Sequence, residues 1–538
     1  MSNHKATKAS SKFIFDPEWD NTFFCVTSSF LVFPGLPLYA SKDLQNWELI
    51  SNVFDRQNQV PQIGADTGQN NGLFALTLRY HDGTFYVIVE YITVADLPEG
   101  FDLVFTSTNP YGPSSFSDPV FFRKPALILD PDLFWDDNGT LYVQAGSFLQ
   151  NIVQFRLDLA TGITSPERVI WEGTGSTAPE GPHMYKKDGW YYLLISEGGT
   201  ALPHCITIAR SQSPSGPFQG CAGNPLLTNR GTEEYFQTVG HADLFQDGSG
   251  NWWGVALATR SGPEYVNYPM GRETVLFPAT WNAGDWPTLE PALCRRYDSV
   301  DFAPGSGLPT NFVHWKFPPK NSFTISPPQY PNMLRITPSK VNFLVPAGTA
   351  LSDCIASIAR RQTATLFNFS VDIWFEPTVE GEEVGVTIFL TQLQHINLGL
   401  VMLPVEESHT LHSSSNLRNV FPHLRFRTTT VDTKNGSRQT NSVAIPEHWR
   451  NKPLRLHIQA HNELEYIFSA TLVQSDSQER IIMGTAPASI VSGDSGHWTG
   501  SLVGVYATTN GGSGSAEAYV ARWRYEDQRQ YIGNGEWV

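Results

Sequence analysis

Three titratable residues and one phenylalanine stand at the same distance before a recurring turn. Asp130, Glu180 and His241 each lie nine residues before a turn glycine, and so does Phe74. An aspartate before proline is alone more often a turn former, and a single histidine more often a core residue, but the shared spacing argues against both readings. Two carboxyl groups beside an aromatic ring suit general acid/base chemistry at a glycosidic bond. One carboxyl must hold a proton for the leaving oxygen, and neighbouring negative charge favours that protonated form.

The turn itself recurs five times within the first 300 residues. Each copy is followed by a short run of β-prone residues, and the copies begin 62, 56, 50 and 61 residues apart; they are Asn21-Thr22-Phe23-Phe24, Gly83-Thr84-Phe85-Tyr86, Gly139-Thr140-Leu141-Tyr142, Gly189-Trp190-Tyr191-Tyr192 and Gly250-Asn251-Trp252-Trp253. Glycine and asparagine accept the positive φ of tight hairpins. We interpret each repeat as a four-stranded blade and predict a five-bladed β-propeller over residues 1–300, with an ordinary β-sandwich as the alternative. In a propeller the innermost strands begin at one mouth of the central channel, so the four residues would meet there.

The repeat stops near residue 300. Residues 301–309 have the composition of a linker, and apolar and polar residues alternate from Phe367 to Ile373. A period of two predicts strands with one buried face. The sequence therefore predicts an all-β protein whose second domain, residues 301–538, is a β-sandwich.

Composition and charge exclude several partners. The 538 residues carry 36 Lys+Arg against 52 Asp+Glu, a net charge of −16, without a basic run, so we expect no nucleic-acid partner. No run of 18 apolar residues predicts a membrane span. The first residues lack the apolar segment of a signal peptide, which predicts a cytoplasmic protein, or an extracellular one if the true start lies upstream.

The first repeat breaks the pattern. Lys12 lies nine residues before Asn21 and Phe13 lies eight before it, and neither side chain can act as a base. The nearest carboxylate, Asp16, is four residues beyond Lys12, roughly 13 Å along a regular strand at about 3.3 Å per residue. Asp16 is the candidate base only if this strand is bulged or displaced.

These residues and their neighbours resemble glycoside hydrolase family 43, the five-bladed arabinofuranosidases and β-xylosidases, particularly members with a concanavalin-like C-terminal sandwich. The resemblance covers nearly the whole chain through Asp130-Pro131, Pro179-Glu180-Gly181-Pro182-His183, Gly240-His241, Gly271-Arg272-Glu273-Thr274 and Phe389-Leu390-Thr391-Gln392-Leu393-Gln394-His395. It implies inverting release of a terminal pentose, α-L-arabinofuranose or β-D-xylose, from xylan or arabinoxylan fragments.

The resemblance also implies roles. Glu180 would be the general acid, and Asp130 would orient it and control its protonation. Arg272 would reach the sugar and the carboxylates, and Phe33 and Phe74 would wall the terminal sugar. His241 matches a histidine near the axis that helps hold a metal ion or water in some members; this allows a structural calcium there, although no cofactor is required.

Two departures from the family pattern keep other functions open. The family's base lies in a Pro-Asp-Pro-Ser segment, and its aspartate falls on Phe13 without a gap or on Asp16 after a three-residue deletion. Phe74-Ala75-Leu76 stands where the family usually has Trp-Ala-Pro. The alternatives are a sugar-binding pseudoenzyme of the same fold and a protein-interaction propeller.

Overall fold

The regular secondary structure of the computed structural model is almost entirely β-strand. The structure describes residues 11–16, 19, 21–93, 99–122, 128–148, 150–289, 298–344, 355–404, 420–431, 439–473, 479–493, 498–533 and 536–537, with the backbone alone for 11–16, 99, 298–299 and 532–537. The described helices are short: α1 (Gln62–Ala65) and two 3₁₀ turns at Glu447–Trp449 and Ala488–Val491. No helix in these ranges is long and apolar enough to cross a membrane.

The first of two compact units comprises Met1–Arg295 together with His497–Thr499 and Ile532–Val538. It contains five four-stranded antiparallel sheets in chain order, which form the predicted five-bladed propeller. The first strands of the five sheets contact one another around the axis. The strands are β1 (Ser11–Asp16), β2 (Thr22–Thr27), β4 (Gly35–Ser41) and β5 (Glu48–Phe54), with the short β3 (Val32–Phe33) outside this sheet; β6 (Gly72–His81), β7 (Thr84–Thr93), β8 (Glu99–Ser107) and β9 (Val120–Phe122); β10 (Ile128–Trp135), β11 (Leu141–Ser147), β12 (Asn151–Arg156) and β13 (Arg168–Trp171); β14 (Glu180–Lys187), β15 (Trp190–Glu197), β16 (Cys205–Ser211) and β17 (Gln219–Gly220); and β18 (Phe236–Gln246), β19 (Trp252–Arg260), β20 (Arg272–Thr280) and β21 (Thr288–Leu289).

All five repeat turns place a residue at positive φ. These residues are Asn21, Gly83, Gly139, Gly189 and Gly250. The second and fourth turns are two residues long, whereas the other three are five residues long. The hairpins thus confirm the turn chemistry that the sequence predicts.

Arg79 of β6 links the innermost strands of four blades. Its guanidinium lies 2.7 Å from Asp132 Oδ1 on β10 and 3.0 Å from Asp243 Oδ2 on β18. It also lies 3.2 Å from His183 Nδ1 on β14. Burial by itself lowers the pKa of Arg79, but the charges of Asp132 and Asp243 outweigh it and raise that pKa. The network joins the inner strands around a shared charge.

The second unit comprises Arg296–Gly496 and Gly500–Tyr531 and is the predicted sandwich. Phe367, Phe369, Val371 and Ile373 are buried in one hydrophobic core, as their alternation predicts. Its strands are β22 (Asp298–Val300), β23 (His314–Trp315), β24 (Phe323–Ile325), β25 (Leu334–Ile336), β26 (Ala356–Arg361), β27 (Leu366–Phe375), β28 (Glu383–Thr391), β29 (Gln394–Pro404), β30 (Val420–Thr429), β31 (Thr440–Ala444), β32 (Leu454–Ala460), β33 (Glu465–Leu472), β34 (Arg480–Pro487), β35 (Leu502–Thr508) and β36 (Ala518–Arg529). One sheet has six strands in the order β26-β35-β28-β29-β30-β31, and the other has eight, in the order β24-β25-β36-β27-β32-β33-β34 with β22 paired to β36. The last two strands, β37 (Tyr531–Gly533) and β38 (Glu536–Trp537), pair with each other, and all their residues except Tyr531 belong to the first unit.

Candidate active site

Four innermost strands carry a β-bulge near their first residues. The register shifts between Leu73 and Leu76, Leu129 and Asp132, Glu180 and His183, and Gly240 and Asp243. A bulge bends its strand and redirects side chains, and bulges recur next to active sites. The bulges therefore place the candidate residues of the sequence at one end of the inner strands.

The four candidates are nearly, but not fully, equivalent in position. Phe74, Asp130 and His241 each follow the last paired residue and so lie in the bulge, whereas Glu180 is itself paired, with Ser196, and Gly181 lies in its bulge. The offset arises because β14 has one residue fewer than β6 between bulge and turn. Counting nine residues back from the turn therefore finds the correct end of each strand, but for Glu180 it gives the residue before the bulge rather than the first residue in it.

Asp130 reaches from its own blade to the start of the next. Its Oδ2 accepts the backbone N–H of Gly181 at 2.8 Å and lies 3.8 Å from His241 Nδ1. Gly181 has φ +59°, and a Cβ there would lie 3.2 Å from the His241 ring. The backbone N–H of His241 in turn donates to the hydroxyl of Ser196. These contacts hold the Asp130 side chain, the Gly181 backbone and the His241 ring together beside Glu180.

Glu180 faces a histidine that the repeat did not reveal. Glu180 Oε1 lies 3.4 Å from His204 Nε2, and both residues are buried. A Cβ on Gly240 would lie 2.3 Å from that same nitrogen, so glycine leaves the room the imidazole occupies. His204 directly precedes β16, a third strand of its blade, where the turn spacing gave no signal.

Arg272 begins β20 and is 8% exposed. Burial lowers the pKa of this guanidinium, and the charges of Glu180 and Asp130 oppose that effect. Arg272 is therefore close enough to Glu180 and Asp130 for their charges to act on it, and its role toward the sugar stays a prediction.

Glu90 is a second residue that the sequence reasoning missed. It is 2% exposed on β7, and its Oε2 accepts the backbone N–H of Asp130 at 3.0 Å. Burial, followed by the charges of Asp130 and Asp102, raises the pKa of Glu90 well above its usual range. An acidic residue inside the apolar run from Val87 to Ile92 was the available signal.

The two aromatic candidates belong to different ring clusters. Phe74 packs on Phe30 at 4.9 Å between ring centroids, and on Trp498 at 5.8 Å. Phe33 packs edge-on against Phe54 at 5.2 Å. Trp498, which the sequence reasoning also missed, donates its Nε1–H to Thr200 Oγ1 at 3.3 Å. The aromatic surface at Phe74 is therefore extended by a residue distant in sequence.

Comparison with known families decides the relationship. The model described as "Glycosyl hydrolases family 43" matches residues 14–287, and that of the "Beta xylosidase C-terminal Concanavalin A-like domain" matches residues 299–526. The chain belongs to glycoside hydrolase family 43.

Individual family 43 relatives match almost the whole chain. A non-reducing end α-L-arabinofuranosidase of Bacteroides ovatus is 33% identical over 515 residues, which cover 91% of this chain and 88% of the relative. A xylosidase/arabinosidase of Butyrivibrio fibrisolvens is 29% identical over 525 residues, 91% and 92% of the two chains. The solved structure of Bacteroides ovatus xyloglucan PUL GH43B is 29% identical with a TM-score of 0.82, covering 98% of this chain and all of that one.

The first blade departs from the bulged pattern of the others. β1 pairs with β2 in continuous register from Ser11 to Asp16. Asp16 is the last residue of β1 and lies opposite Thr22, as Trp135 lies opposite Leu141 in β10. Its Cα is five residues from Ser11, roughly 16 Å along the strand. The bulge that would bring Asp16 to the family 43 site is absent from Ser11–Asp16, so the backbone does not support Asp16 as the base.

The described residues contain no group of three or more His, Cys, Asp and Glu that could hold a metal ion. The structural calcium near His241 stays a prediction that rests on the family 43 resemblance.

Proposed function

We propose that the protein is an exo-acting pentosidase that releases terminal α-L-arabinofuranose or β-D-xylose from xylan or arabinoxylan-type oligosaccharides. The observation that carries this proposal is the convergence of Glu180, Asp130 and Arg272 from three neighbouring blades. The names of the Bacteroides and Butyrivibrio relatives support a terminal pentose and include both sugars.

In the proposed reaction each group has a part in hydrolysis. Glu180 protonates the leaving oxygen, and Asp130 fixes the start of β14 through the N–H of Gly181. Arg272 holds the sugar while balancing the two carboxyl groups. In an inverting displacement a base activates water on the opposite face, about 6.5–9.5 Å from the acid.

A second function, sugar binding without effective turnover, is favoured by one observation. The continuous register of β1 leaves Asp16 at the turn end, and an alignment without a gap puts Phe13 at the family's position for the base. Loss of a positioned base lowers turnover by roughly 10²–10⁴-fold. Such a protein would keep its affinity for the terminal sugar.

Hydrolysis of aryl α-L-arabinofuranoside and aryl β-D-xyloside tests the proposal. We expect turnover on one sugar, its decrease in Glu180→Gln, most strongly when the leaving group is a poor one that needs a proton, and no change in Glu48→Gln, which alters an exposed carboxylate on β5. NMR detection of the first anomer released would establish inversion. Sugar affinity without turnover, unaffected by added azide, would instead support the binding function.

A further inference from the structure

The hydrogen of the buried His204 ring can be placed from its contacts. Nδ1 lies 3.0 Å from the backbone oxygen of Thr238. A carbonyl oxygen can only accept, so Nδ1 carries the hydrogen. In the neutral ring, Nε2 is then a bare acceptor.

His204 Nε2 faces a second hydrogen-bond acceptor, Glu180 Oε1. Glu180 Oε1 lies 3.4 Å away, and within the described part of the chain neither atom makes a hydrogen bond. An ionised Glu180 beside a neutral His204 would leave two buried acceptors in contact, each at the cost of an unsatisfied polar group, about 1–3 kcal/mol. One proton between them removes both costs. We infer that His204 and Glu180 share a single proton and that His204 thereby keeps the proposed general acid protonated.

The separation is consistent with such a pair. It is slightly longer than a usual N···O hydrogen bond of about 2.7–3.2 Å, and catalytic hydrogen bonds are often long before substrate binds. Because residue 240 is a glycine, no Cβ clashes with the His204 ring, and the hydrogen bond to the Thr238 carbonyl fixes the rotation of that ring.

The other charged groups around the pair have separate partners. Asp130 Oδ2 accepts from Gly181 and lies near His241. Glu197, next to Cys205 across β15 and β16, accepts from the hydroxyls of Thr174 and Thr207. Arg272 acts electrostatically on Glu180 but carries no proton that can be transferred at neutral pH. His204 is therefore the group that can share a proton with Glu180.

The catalytic part of this inference rests on the proposed pentosidase function. In each turnover Glu180 gives its proton to the leaving oxygen, and solvent restores it after product leaves. His204 acts through Glu180 and is a positioning residue.

His204→Asn is the decisive variant, because its amide nitrogen can still donate to Thr238 while the Nε2 acceptor is lost. We expect the alkaline limb of kcat/KM to move to lower pH by about one unit, a tenfold loss of the protonated form above that limb. The loss should be larger for alkyl glycosides than for nitrophenyl glycosides, whose leaving group departs without protonation. A wild-type pH profile and leaving-group dependence in His204→Asn would overturn the inference and leave His204 a tether.

A spectroscopic measurement needs neither turnover nor a folded His204 variant. Infrared difference spectra between the wild type and Glu180→Gln detect a neutral carboxyl, and ¹⁵N NMR reports the protonation of Nε2. A neutral Glu180 carboxyl beside a ring without a hydrogen on Nε2 supports the inference at neutral pH, and an ionised Glu180, beside a neutral or a protonated ring, refutes it. A shared proton in a protein that hydrolyses neither aryl sugar would refute the proposed function alone.

Discussion

Glu90 supports Asp130 from the neighbouring blade, because its Oε2 accepts the Asp130 backbone N–H at 3.0 Å. Asp130 has φ +56°, a backbone conformation that a non-glycine residue adopts at some cost. The bond from β7 helps hold this strained residue, whose own carboxylate binds Gly181 beside the proposed acid. The buried carboxyl group of Glu90 thus helps fix the backbone of Asp130, itself a buried acidic residue.

Stability should depend on pH through Glu90. Burial, then Asp130 and Asp102, raises its folded-state pKa. Above an unfolded pKa of about 4.3 the folded chain keeps a proton that the unfolded chain releases, so this group makes stability fall as pH rises, until the folded pKa is reached. Glutamine does not titrate. We expect the unfolding free energy of Glu90→Gln, relative to wild type, to rise with pH by roughly 1 kcal/mol per unit in that window. Urea unfolding from pH 4 to 8 measures it, and parallel curves would contradict it.

Removing the cation at the axis should destabilise the propeller. Arg79→Met leaves Asp132 and Asp243 without the guanidinium they share, and breaking a buried ion pair costs about 3–5 kcal/mol. Arg79 is 18% exposed and the two carboxylates at most 2%, so solvent screens the loss little. Urea unfolding should show this difference, while Arg156→Met, at an exposed arginine of β12, should unfold like wild type. Equal midpoints for all three proteins would show that the network contributes little.

A methyl group at Gly240 should disturb the acid. Its Cβ would lie 2.3 Å from His204 Nε2, which forces the ring away from Glu180. We expect kcat/KM to fall by about tenfold or more, equal to about 1.4 kcal/mol of barrier. Gly220→Ala is the matched control, since its nearest neighbour would be 3.7 Å from the new Cβ. Unchanged kinetics in Gly240→Ala would place the ring farther from Glu180 than the structure does.

An aspartate at Phe13, the family's base position in an alignment without a gap, should raise turnover. Phe13 lies within β1 and pairs with Cys25. We expect Phe13→Asp to increase kcat by about 10²–10⁴-fold if the native chain lacks a base. Ile14→Asp, at the next position of the strand, should leave kcat unchanged, because successive strand residues alternate between two faces. A high kcat in the native chain that Phe13→Asp abolishes would show that the base lies elsewhere.

The fold could be predicted from the sequence because turns with positive φ are local and repeat five times. Glu180, Asp130 and Arg272 could be proposed as site residues because each stands in a family motif at or near the start of a strand, and their roles stay predictions. Glu90, His204 and Trp498 could not, since their relation to the site depends on which strands and segments become neighbours. Counting from the turns was one residue out for Glu180, because the length of the strand after the bulge differs between blades. Asp16 was a candidate base only on the condition of a bulged or displaced strand, and the register of Ser11–Asp16 is continuous.

The contacts of Arg79 also bear on the order of assembly. Its partners lie on the third, fourth and fifth blades. In an emerging chain with four blades, Asp132 is the carboxylate available to the guanidinium, and Asp243 joins the network only when the last blade is made. The final sheet therefore stabilises contacts made much earlier in synthesis. This favours cooperative unfolding of the propeller over the loss of one blade at a time.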